Sequence, residues 1–386
     1  MSTEIKPFKV NISDDALTDL KQRLTNTRWP EAETVDDWSQ GVPLSYIKEL
    51  CSYWLTDYDW RRWESQLNSH PQFKTEIDGL DIHFLHIRSP HEDAQPLIMT
   101  HGWPGSIVEF HKVIEPLTNP TKFGGKAEDA FHLVCPSLPG YGFTDKPAAI
   151  GWGVEQIGKA WGKLMSRLGY DSYCAQGGDW GAMVTQNIAL TETAHCIGIH
   201  TTMPIVAPDP DTMADLSPNE QAALEGLGYY SEWDSGYSKQ QSTRPQSLAY
   251  GLADSPSGQA AWIVEKFWAW MDCGEGENQH PENVLSKDEL LDNIMMYWLT
   301  NAAGSSAQLY WESFSKPVMD EITIPTGCSL FPKEIFRSSK RWIEKRFTNL
   351  VYFNELTSGG HFAAFEQPEV FVDELRACFS HQAFKK

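Results

Sequence analysis

The sequence is poor in basic residues and has no long apolar run. Lysine and arginine number 31 against 52 aspartates and glutamates, so the formal net charge is −21 at pH 7. A chain of this charge repels nucleic-acid backbones and anionic membrane surfaces, and it has no dense Lys/Arg cluster that would offset the repulsion. Residues 1–7 lack the apolar core of a signal peptide, and no uncharged apolar run approaches the roughly 18 residues of a membrane span. We therefore expect a soluble cytoplasmic protein with no nucleic-acid or membrane partner.

The cysteine spacing gives no support for a disulfide framework or a metal site. Seven cysteines, an odd number, are scattered along the 386 residues without the paired spacing of zinc ligands. His83 and His86 lie three apart on a predicted strand, so their rings would point to opposite faces of the sheet. We expect a reducing compartment, no metal and no cofactor.

Strand and helix patterns alternate along most of the chain, which predicts an α/β fold with a mostly parallel central sheet. The dipeptide Asp78-Gly79 between two apolar alternating segments predicts a hairpin turn. We also expect a helix over Ser106–Leu117 in the core. We divide the chain into an N-terminal wrapping segment with the first hairpin (1–92), the first part of the core (93–205), a mainly helical cap inserted in the core (206–316) and the second part of the core (317–386).

The segment Gly177-Gly178-Asp179-Trp180-Gly181 lies between a predicted buried strand and a predicted helix. Small residues two before and two after the central position let a strand turn tightly into a helix while the central side chain stays exposed. Because the central residue is Asp179, the attacking group would be a carboxylate. A carboxylate is a weak nucleophile at neutral pH and suits strained or activated carbons, such as an epoxide or a carbon–halogen carbon, with which it forms an ester. Taken alone, these five residues would also suit an ordinary loop.

Further candidate residues follow other predicted strands of the sheet, at the edge where parallel sheets bind ligands. The turn over residues 101–106 can aim backbone N–H groups at an oxyanion, and we expect the N–H groups of Trp103 and Trp180 to act this way. Glu334 and His361 come after the last two strands of the chain.

The chain order Asp179, Glu334, His361 is that of a nucleophile, acid and histidine triad on a parallel sheet. His361 would take a proton from water, Glu334 would hold the tautomer of His361, and the water would cleave the ester on Asp179. Asp320 and Glu321 are the reserve candidates for the acid.

These motifs resemble those of the microsomal-type epoxide hydrolases of the α/β-hydrolase superfamily, and the resemblance covers nearly the whole chain. It implies an α/β-hydrolase fold with a helical cap, and a soluble, microbial-like member without the membrane-anchor helix of the animal members. The segments that carry the resemblance are Pro7 to Val10, Arg28 to Pro30, His101 to Ser106, Gly178 to Gly181, Phe331 to Glu334 and Gly359 to Ala364.

The resemblance also implies two cap tyrosines that donate hydrogen bonds to the epoxide oxygen. The surroundings of Tyr237 and Tyr310 match those of the family's tyrosines, with Tyr229 and Tyr230 as alternatives to Tyr237. Such a pair would stabilise the alkoxide that forms when the ring opens. Without the resemblance, each tyrosine would be interpreted as an ordinary packing residue.

The sequence therefore predicts an epoxide hydrolase that converts a hydrophobic epoxide to a vicinal diol through an aspartyl ester. Two alternatives stay open, namely a haloalkane dehalogenase that uses the same Asp179 and a non-catalytic binder of a hydrophobic ligand. We expect the epoxide and water to be the partners, and exposed apolar residues of the cap could pair two chains as a homodimer. The identity of the epoxide and the stereochemistry depend on cap side chains and loop conformation, which motif spacing does not fix.

Overall fold

The computed structural model describes residues 3–314 and 317–385, and within them nine strands form one sheet. The strands are β1 Ile5–Phe8, β2 Gln72–Ile77, β3 Leu80–Ile87, β4 Gln95–Thr100, β5 Phe131–Pro136, β6 Tyr173–Gly177, β7 Cys196–Thr201, β8 Thr326–Leu330 and β9 Leu350–Glu355. Their spatial order is β1-β2-β3-β5-β4-β6-β7-β8-β9. Strands β4 to β9 pair in parallel, whereas β1, β2, β3 and β5 pair antiparallel in that order. The predicted α/β class with a mostly parallel sheet is confirmed.

Helices follow the strands and also fill the two long segments outside the sheet. They are α1 Asp14–Thr25, α2 Leu44–Thr56, α3 Trp60–Leu67, α4 Ile114–Thr118, α5 Val154–Arg167, α6 Asp179–Thr191, α7 Pro218–Tyr229, α8 Gly236–Thr243, α9 Pro245–Asp254, α10 Pro256–Trp270, α11 Lys287–Trp298, α12 Ala303–Ser313, α13 Lys340–Arg346, α14 Ala363–Glu366 and α15 Pro368–Phe379. Helices α7 to α12 lie between β7 and β8. The predicted cap boundary after residue 316 lies outside the described residues.

The central strands are buried along their length. Every residue of β5 and β6 is buried, as expected for parallel strands covered on both faces, and most of these residues are apolar apart from His132 and Gln176. Strand β4 lies between them, so the carboxyl ends of β4, β5 and β6 meet at one edge of the sheet. That edge is where the candidate active site lies. In the described residues, no helix is long and apolar enough to cross a membrane.

The hairpin predicted at Asp78-Gly79 is confirmed. Strands β2 and β3 pair in register from Gln72 with Leu85 to Ile77 with Leu80. The two turn residues have φ values of 51° and 89°, which is the left-handed geometry that an Asp-Gly turn between paired strands adopts.

The helix predicted over Ser106–Leu117 is wrong. A short 3-10 helix covers Ile107–Phe110, and α4 begins only at Ile114. The reason is Pro116, which has no N–H and would clash with the carbonyl four residues earlier in a continuous helix. Starting α4 at Ile114 places Pro116 in the first turn, where no hydrogen bond is lost. Strand β1 was absent from the prediction because Pro7 interrupts it, and a sheet accepts proline at such an edge position.

Candidate active site

Asp179 lies at the turn between β6 and α6, at the centre of the carboxyl edge of the sheet. Its φ is 49°, a left-handed conformation that aspartate and asparagine tolerate better than most other residues. The turn is tight, because a Cβ added at Gly181 would overlap the carbonyl oxygen of Thr100 on β4. The side chain of Asp179 keeps 12% of its surface exposed. The carboxylate therefore projects from the end of the strand, as the sequence predicts.

The two oxygens of the Asp179 carboxylate have different surroundings. Oδ1 accepts a hydrogen bond of 2.7 Å from the backbone N–H of Trp103, whereas Oδ2 lies 3.2 Å from Nε2 of His361. The N–H of Trp180 belongs to the first turn of α6, where backbone donors have no acceptor inside the helix. A Cβ at Gly102 would overlap Oδ1, so only glycine permits this approach. Oδ1 thus lies where backbone N–H groups would hold an oxyanion, and Oδ2 is the oxygen available to attack a substrate.

The turn over residues 103–106 is held by helix α11, a contact that the sequence prediction missed. The amide of the buried Asn293 donates to the carbonyl of Pro104 at 2.8 Å, and its oxygen accepts from the hydroxyl of Ser106 at 2.8 Å. The hydroxyl of Tyr297 donates to the carbonyl of Gly105 at 2.6 Å. Between 187 and 192 residues separate these partners in sequence, so no local pattern indicates the contact.

His101 fixes the start of the same turn. Its Nε2 accepts a hydrogen bond of 3.2 Å from the N–H of Leu138, so its Nδ1 carries the proton and donates to the carbonyl of Gly102 at 3.0 Å. Burial lowers the pKa of His101 to about 4, which keeps the ring neutral in this role.

His361 and Glu334 form a buried pair beside Asp179. The Nδ1–H of His361 donates to Oε1 of Glu334 at 2.6 Å, and this oxygen also accepts from the N–H of Ile335 at 2.7 Å. Burial lowers the pKa of His361, but the carboxylates of Glu334 and Asp179 outweigh that effect and hold the pKa well above its usual value. The imidazole is therefore positively charged between two negative groups near neutral pH.

The loop that carries His361 is anchored by Glu366, which the sequence prediction also missed. Its carboxylate accepts hydrogen bonds from the backbone N–H groups of Asp272, Gly360 and Phe362, at 2.8, 3.0 and 2.8 Å. Burial raises the pKa of Glu366 to about 7, although these bonds oppose the rise. In the sequence, Glu366 precedes Gln367-Pro368 at a helix start, a position typical of an exposed acid.

Tyr237 on α8 and Tyr310 on α12 lie over the Trp103 and Trp180 side of the site. The ring of Tyr237 stacks on that of Trp103 with centroids 4.8 Å apart, and the ring of Tyr310 meets that of Trp180 edge-on at 4.7 Å. The two tyrosine rings are 5.7 Å apart. Helices α8 and α12 thus bring two buried hydroxyls to the same side of Asp179.

The alternatives to Tyr237 make different contacts. Tyr229 is 63% exposed. Tyr230 is buried, and its hydroxyl lies 3.2 Å from that of Tyr237 and 3.2 Å from Oγ of Ser238. Tyr230 is thus placed to hold the hydroxyl of Tyr237 through a hydrogen bond.

The reserve acids and the strand histidines also lie elsewhere. Asp320 and Glu321 are exposed. His83 is buried, with its ring nitrogens 3.0 Å from Ser137 Oγ and 3.0 Å from Gln72 Oε1, while His86 Nε2 lies 2.8 Å from the hydroxyl of Tyr170. In the part of the chain that the structure describes, no three His, Cys, Asp or Glu side chains gather as metal ligands.

Two family models match this chain. The model described as "Epoxide hydrolase N terminus" matches residues 5–110, and the model described as "alpha/beta hydrolase fold" matches residues 95–245. The second match contains Asp179, Trp103 and Tyr237.

Relatives match the chain over nearly all its length. A protein of Stigmatella aurantiaca (strain DW4/3-1), named as a candidate epoxide hydrolase, is 56% identical over 379 residues, which is 97% of this chain and 84% of that one. Epoxide hydrolase 1 of Sus scrofa is 36% identical over 401 residues, or 96% of this chain and 88% of the relative.

Solved structures share the fold. The juvenile hormone epoxide hydrolase of the silkworm Bombyx mori superposes with a TM-score of 0.92 at 31% identity, covering 98% of this chain and 95% of that one. The epoxide hydrolase of Aspergillus niger gives a TM-score of 0.88 at 32% identity, covering 98% and 96%. The likeness thus extends over the sheet and over the helices between β7 and β8.

Proposed function

The chain belongs to the epoxide hydrolase family of the α/β-hydrolase superfamily and hydrolyses epoxides, and we propose that it does so through a covalent ester on Asp179. The family-model matches and the relatives show that the chain is an epoxide hydrolase, and they confirm the predicted α/β-hydrolase fold. The single observation that carries the proposal is the contact of Asp179 with both Trp103 N–H and His361 Nε2.

In the first step, Oδ2 of Asp179 attacks one carbon of the epoxide. The C–O bond to the ring oxygen breaks, and the hydroxyls of Tyr237 and Tyr310 stabilise that oxygen while one of them gives it a proton. Burial raises the pKa of Tyr310 well above its usual range, and the charge of Asp179 adds to the effect. Both hydroxyls are thus protonated donors before the ring opens.

In the second step, a water molecule attacks Cγ of the ester. His361 takes a proton from the water, and the N–H groups of Trp103 and Trp180 hold the oxyanion that forms on Oδ1. The bond from Cγ to the diol oxygen then breaks, the diol oxygen takes the proton, and the tyrosine recovers its own proton by way of solvent. Ester formation removes the negative charge of Asp179, so the pKa of His361 falls and the ring can act as a base.

The pair of tyrosines favours an epoxide over a haloalkane. A departing halide carries its charge away as an ion, whereas an epoxide oxygen stays attached and needs donors where its charge develops. Tyr237 and Tyr310 lie on one side of the nucleophile with ring centroids 5.7 Å apart, which suits one shared oxygen.

A hydrophobic substituent on the epoxide has an apolar surface nearby. Phe314 packs against Trp180 and Tyr310, with ring centroids 6.3 and 5.7 Å apart. It also lines a cavity of about 210 Å³ together with apolar residues that include Met183 and Phe336. Ligand pockets are lined mainly by apolar side chains, so this cavity suits a hydrophobic group of the substrate.

We also propose a cytoplasmic location and a homodimer. All seven cysteines lie in described residues and are buried and free, as expected in a reducing compartment. Trp233 and Tyr250 in the 206–316 region are 74% and 71% exposed, and such surfaces can pair two chains. Sedimentation equilibrium that gives only the mass of one chain would contradict the dimer.

The proposed ester is tested by trapping it. His361→Gln should still open a simple aryl epoxide but should not hydrolyse the ester, so the Asp179 peptide should gain the mass of the epoxide. Asp179→Asn should gain no mass, and asparagine suits the left-handed backbone at this position. Equal labelling of the Asp179→Asn variant, or no labelling of the histidine variant, would contradict the proposal.

A further inference from the structure

A small cavity lies beside Asp179. Its volume is about 20 Å³, which is large enough for one water molecule. The lining includes the catalytic candidates Asp179 and His361, the strand residue Gln176, and Glu109 from the short 3-10 helix after the turn over residues 103–106, called the oxyanion turn below. The cavity thus touches both groups that the second step of the reaction uses.

Gln176 presents a polar atom that the described protein leaves unpaired. The residue is 2% exposed, and its Oε1 is buried without a hydrogen-bond partner among the described residues. A buried carbonyl without a donor is costly, and such groups are usually satisfied by a bound water. Because Gln176 lines the cavity, a water there can donate to Oε1.

Glu109 supplies a second polar group on the wall of the cavity. The neighbours Val108 and Phe110 are buried, and the carboxyl of Glu109 fits against Gly105, where an added Cβ would overlap Oε1. Burial raises the pKa of Glu109 to about 8, an effect that His361 reduces and Asp179 increases. The carboxyl is uncharged near neutral pH, so it can bond a water without repelling the nucleophile.

We propose that this cavity holds the water that hydrolyses the ester, and that Gln176 and Glu109 are the residues that position it. The inference rests on the proposed function, since it names the source of the water for the second step. The water donates one hydrogen to Nε2 of His361 and the other to Oε1 of Gln176, while Glu109 fixes its place. A lone pair then faces Cγ of Asp179, and the proton given up to His361 goes on to the diol oxygen.

The position of the cavity separates the two reactants. Tyr237 and Tyr310 lie against the indole rings of Trp103 and Trp180, on the side from which the epoxide approaches. The cavity is lined by the ends of β4 and β6, by Trp103, by residues 361–364 and by Phe371 of α15, and its lining includes neither tyrosine. A water held in the cavity therefore does not displace an epoxide bound against the two tyrosines.

The experiment measures formation and decay of the ester separately, by rapid quench with enzyme in excess over styrene oxide. Gln176→Met and Glu109→Met keep the size of each side chain but remove the acceptor. Each should slow ester decay by about 100-fold, the cost of misplacing a reactant, and should slow ester formation far less. The Glu109→Gln variant keeps a carbonyl oxygen, so its ester should decay at close to the rate of the unmodified protein. Glu115→Met, on the exposed surface, is the matched control.

Ester decay at the unmodified rate in both methionine variants would overturn the inference and leave the proposed function standing. An unmodified protein that forms no ester would overturn both. A crystal structure of the unmodified protein gives a test that does not depend on the folding of any variant. It should show one ordered water within hydrogen-bond distance of Oε1 of Gln176, and a cavity closed by a side chain would contradict the proposal.

Discussion

At the scale of single residues, the central feature is a histidine between two carboxylates. His361 lies 2.6 Å from Glu334 and 3.2 Å from Asp179, and both acids raise its pKa. Of these two carboxylates, only that of Asp179 loses its charge during the proposed reaction. The ester therefore converts His361 from a cation that accompanies the nucleophile into a base that activates water.

Glu334→Gln should shift the pH dependence of ester hydrolysis. Removing the negative charge lowers the pKa of His361, so the neutral, active imidazole persists to lower pH and the rising limb of the profile should move to lower pH. The maximal rate should also fall, by about 10-fold or more, because the imidazolium loses its counter-charge. Ester decay measured by rapid quench from pH 5 to 9 checks both effects, and a limb that stays in place or moves to higher pH would contradict the electrostatic account.

Tyr310→Phe should slow ring opening and spare ester hydrolysis. Loss of one donor to a developing oxyanion typically costs about 100-fold to 1000-fold in rate. Tyr237→Phe should act in the same direction, whereas the exposed Tyr229→Phe should have no effect. The measurement is the pre-steady-state rate of ester formation. A variant that slowed only ester decay would contradict the assignment of the tyrosine to ring opening.

At the scale of elements, the site depends on four chain segments that meet at the ends of β4, β6, β8 and β9. The β6 to α6 turn presents Asp179, and the turn after β4 presents Trp103 N–H. The loop after β8 presents Glu334, and the loop after β9 presents His361. The close approach of the first two leaves no room for a side chain at Gly102.

Gly102→Ala should remove activity because its Cβ would take the place of Oδ1 of Asp179. Ring opening should fall at least about 100-fold, as expected when a nucleophile is displaced by about 1 Å. Gly228→Ala is the matched control, since a Cβ there has no atom within 4 Å. Ester formation at the normal rate in the Gly102→Ala variant would show that the turn can open without cost.

Local geometry explains which parts of the fold and the site could be predicted. The hairpin at Asp78-Gly79 and the strand, turn and helix around Asp179 depend on neighbours in sequence, so residue types reveal them. The helix over Ser106–Leu117 was wrong because Pro116 outweighed the apolar spacing. Asn293, Glu366 and Gln176 gave no signal, since their contacts depend on packing between distant segments. The choice between Tyr237 and Tyr230 depends on where their hydroxyls lie, which residue types do not show.

At the scale of the whole molecule, the N-terminal region is linked to the oxyanion turn through helix α11. Arg62 on α3 forms a salt bridge of 2.6 Å with Asp292, and the hydroxyl of Tyr58 donates to the same carboxylate at 2.7 Å. The next residue, Asn293, holds the turn that carries Trp103. The segment that the sequence suggested as a wrapping region therefore also supports the site.

Arg62→Met should destabilise the protein by about 2 kcal/mol. The variant leaves the carboxylate of Asp292, which is 3% exposed, without its cation. The loss is smaller than for a fully buried pair because the side chain of Arg62 is 37% exposed. Arg23→Met breaks a pair with the 85% exposed Asp254 and should cost less than about 1 kcal/mol. Urea unfolding measures the free energy of unfolding of both variants. Equal losses of that free energy would contradict the proposed link between the N-terminal region and the oxyanion turn.

The covalent ester on Asp179 is tested most directly by one turnover in heavy-oxygen water. Enzyme in excess over styrene oxide is mixed with labelled water, and the diol and the Asp179 peptide are then weighed by mass spectrometry. The account predicts an unlabelled diol, whose new oxygen comes from Asp179, and heavy oxygen retained in the Asp179 carboxylate. Heavy oxygen in the first-turnover diol, with an unlabelled Asp179 peptide, would mean that water opens the ring directly and would contradict the account.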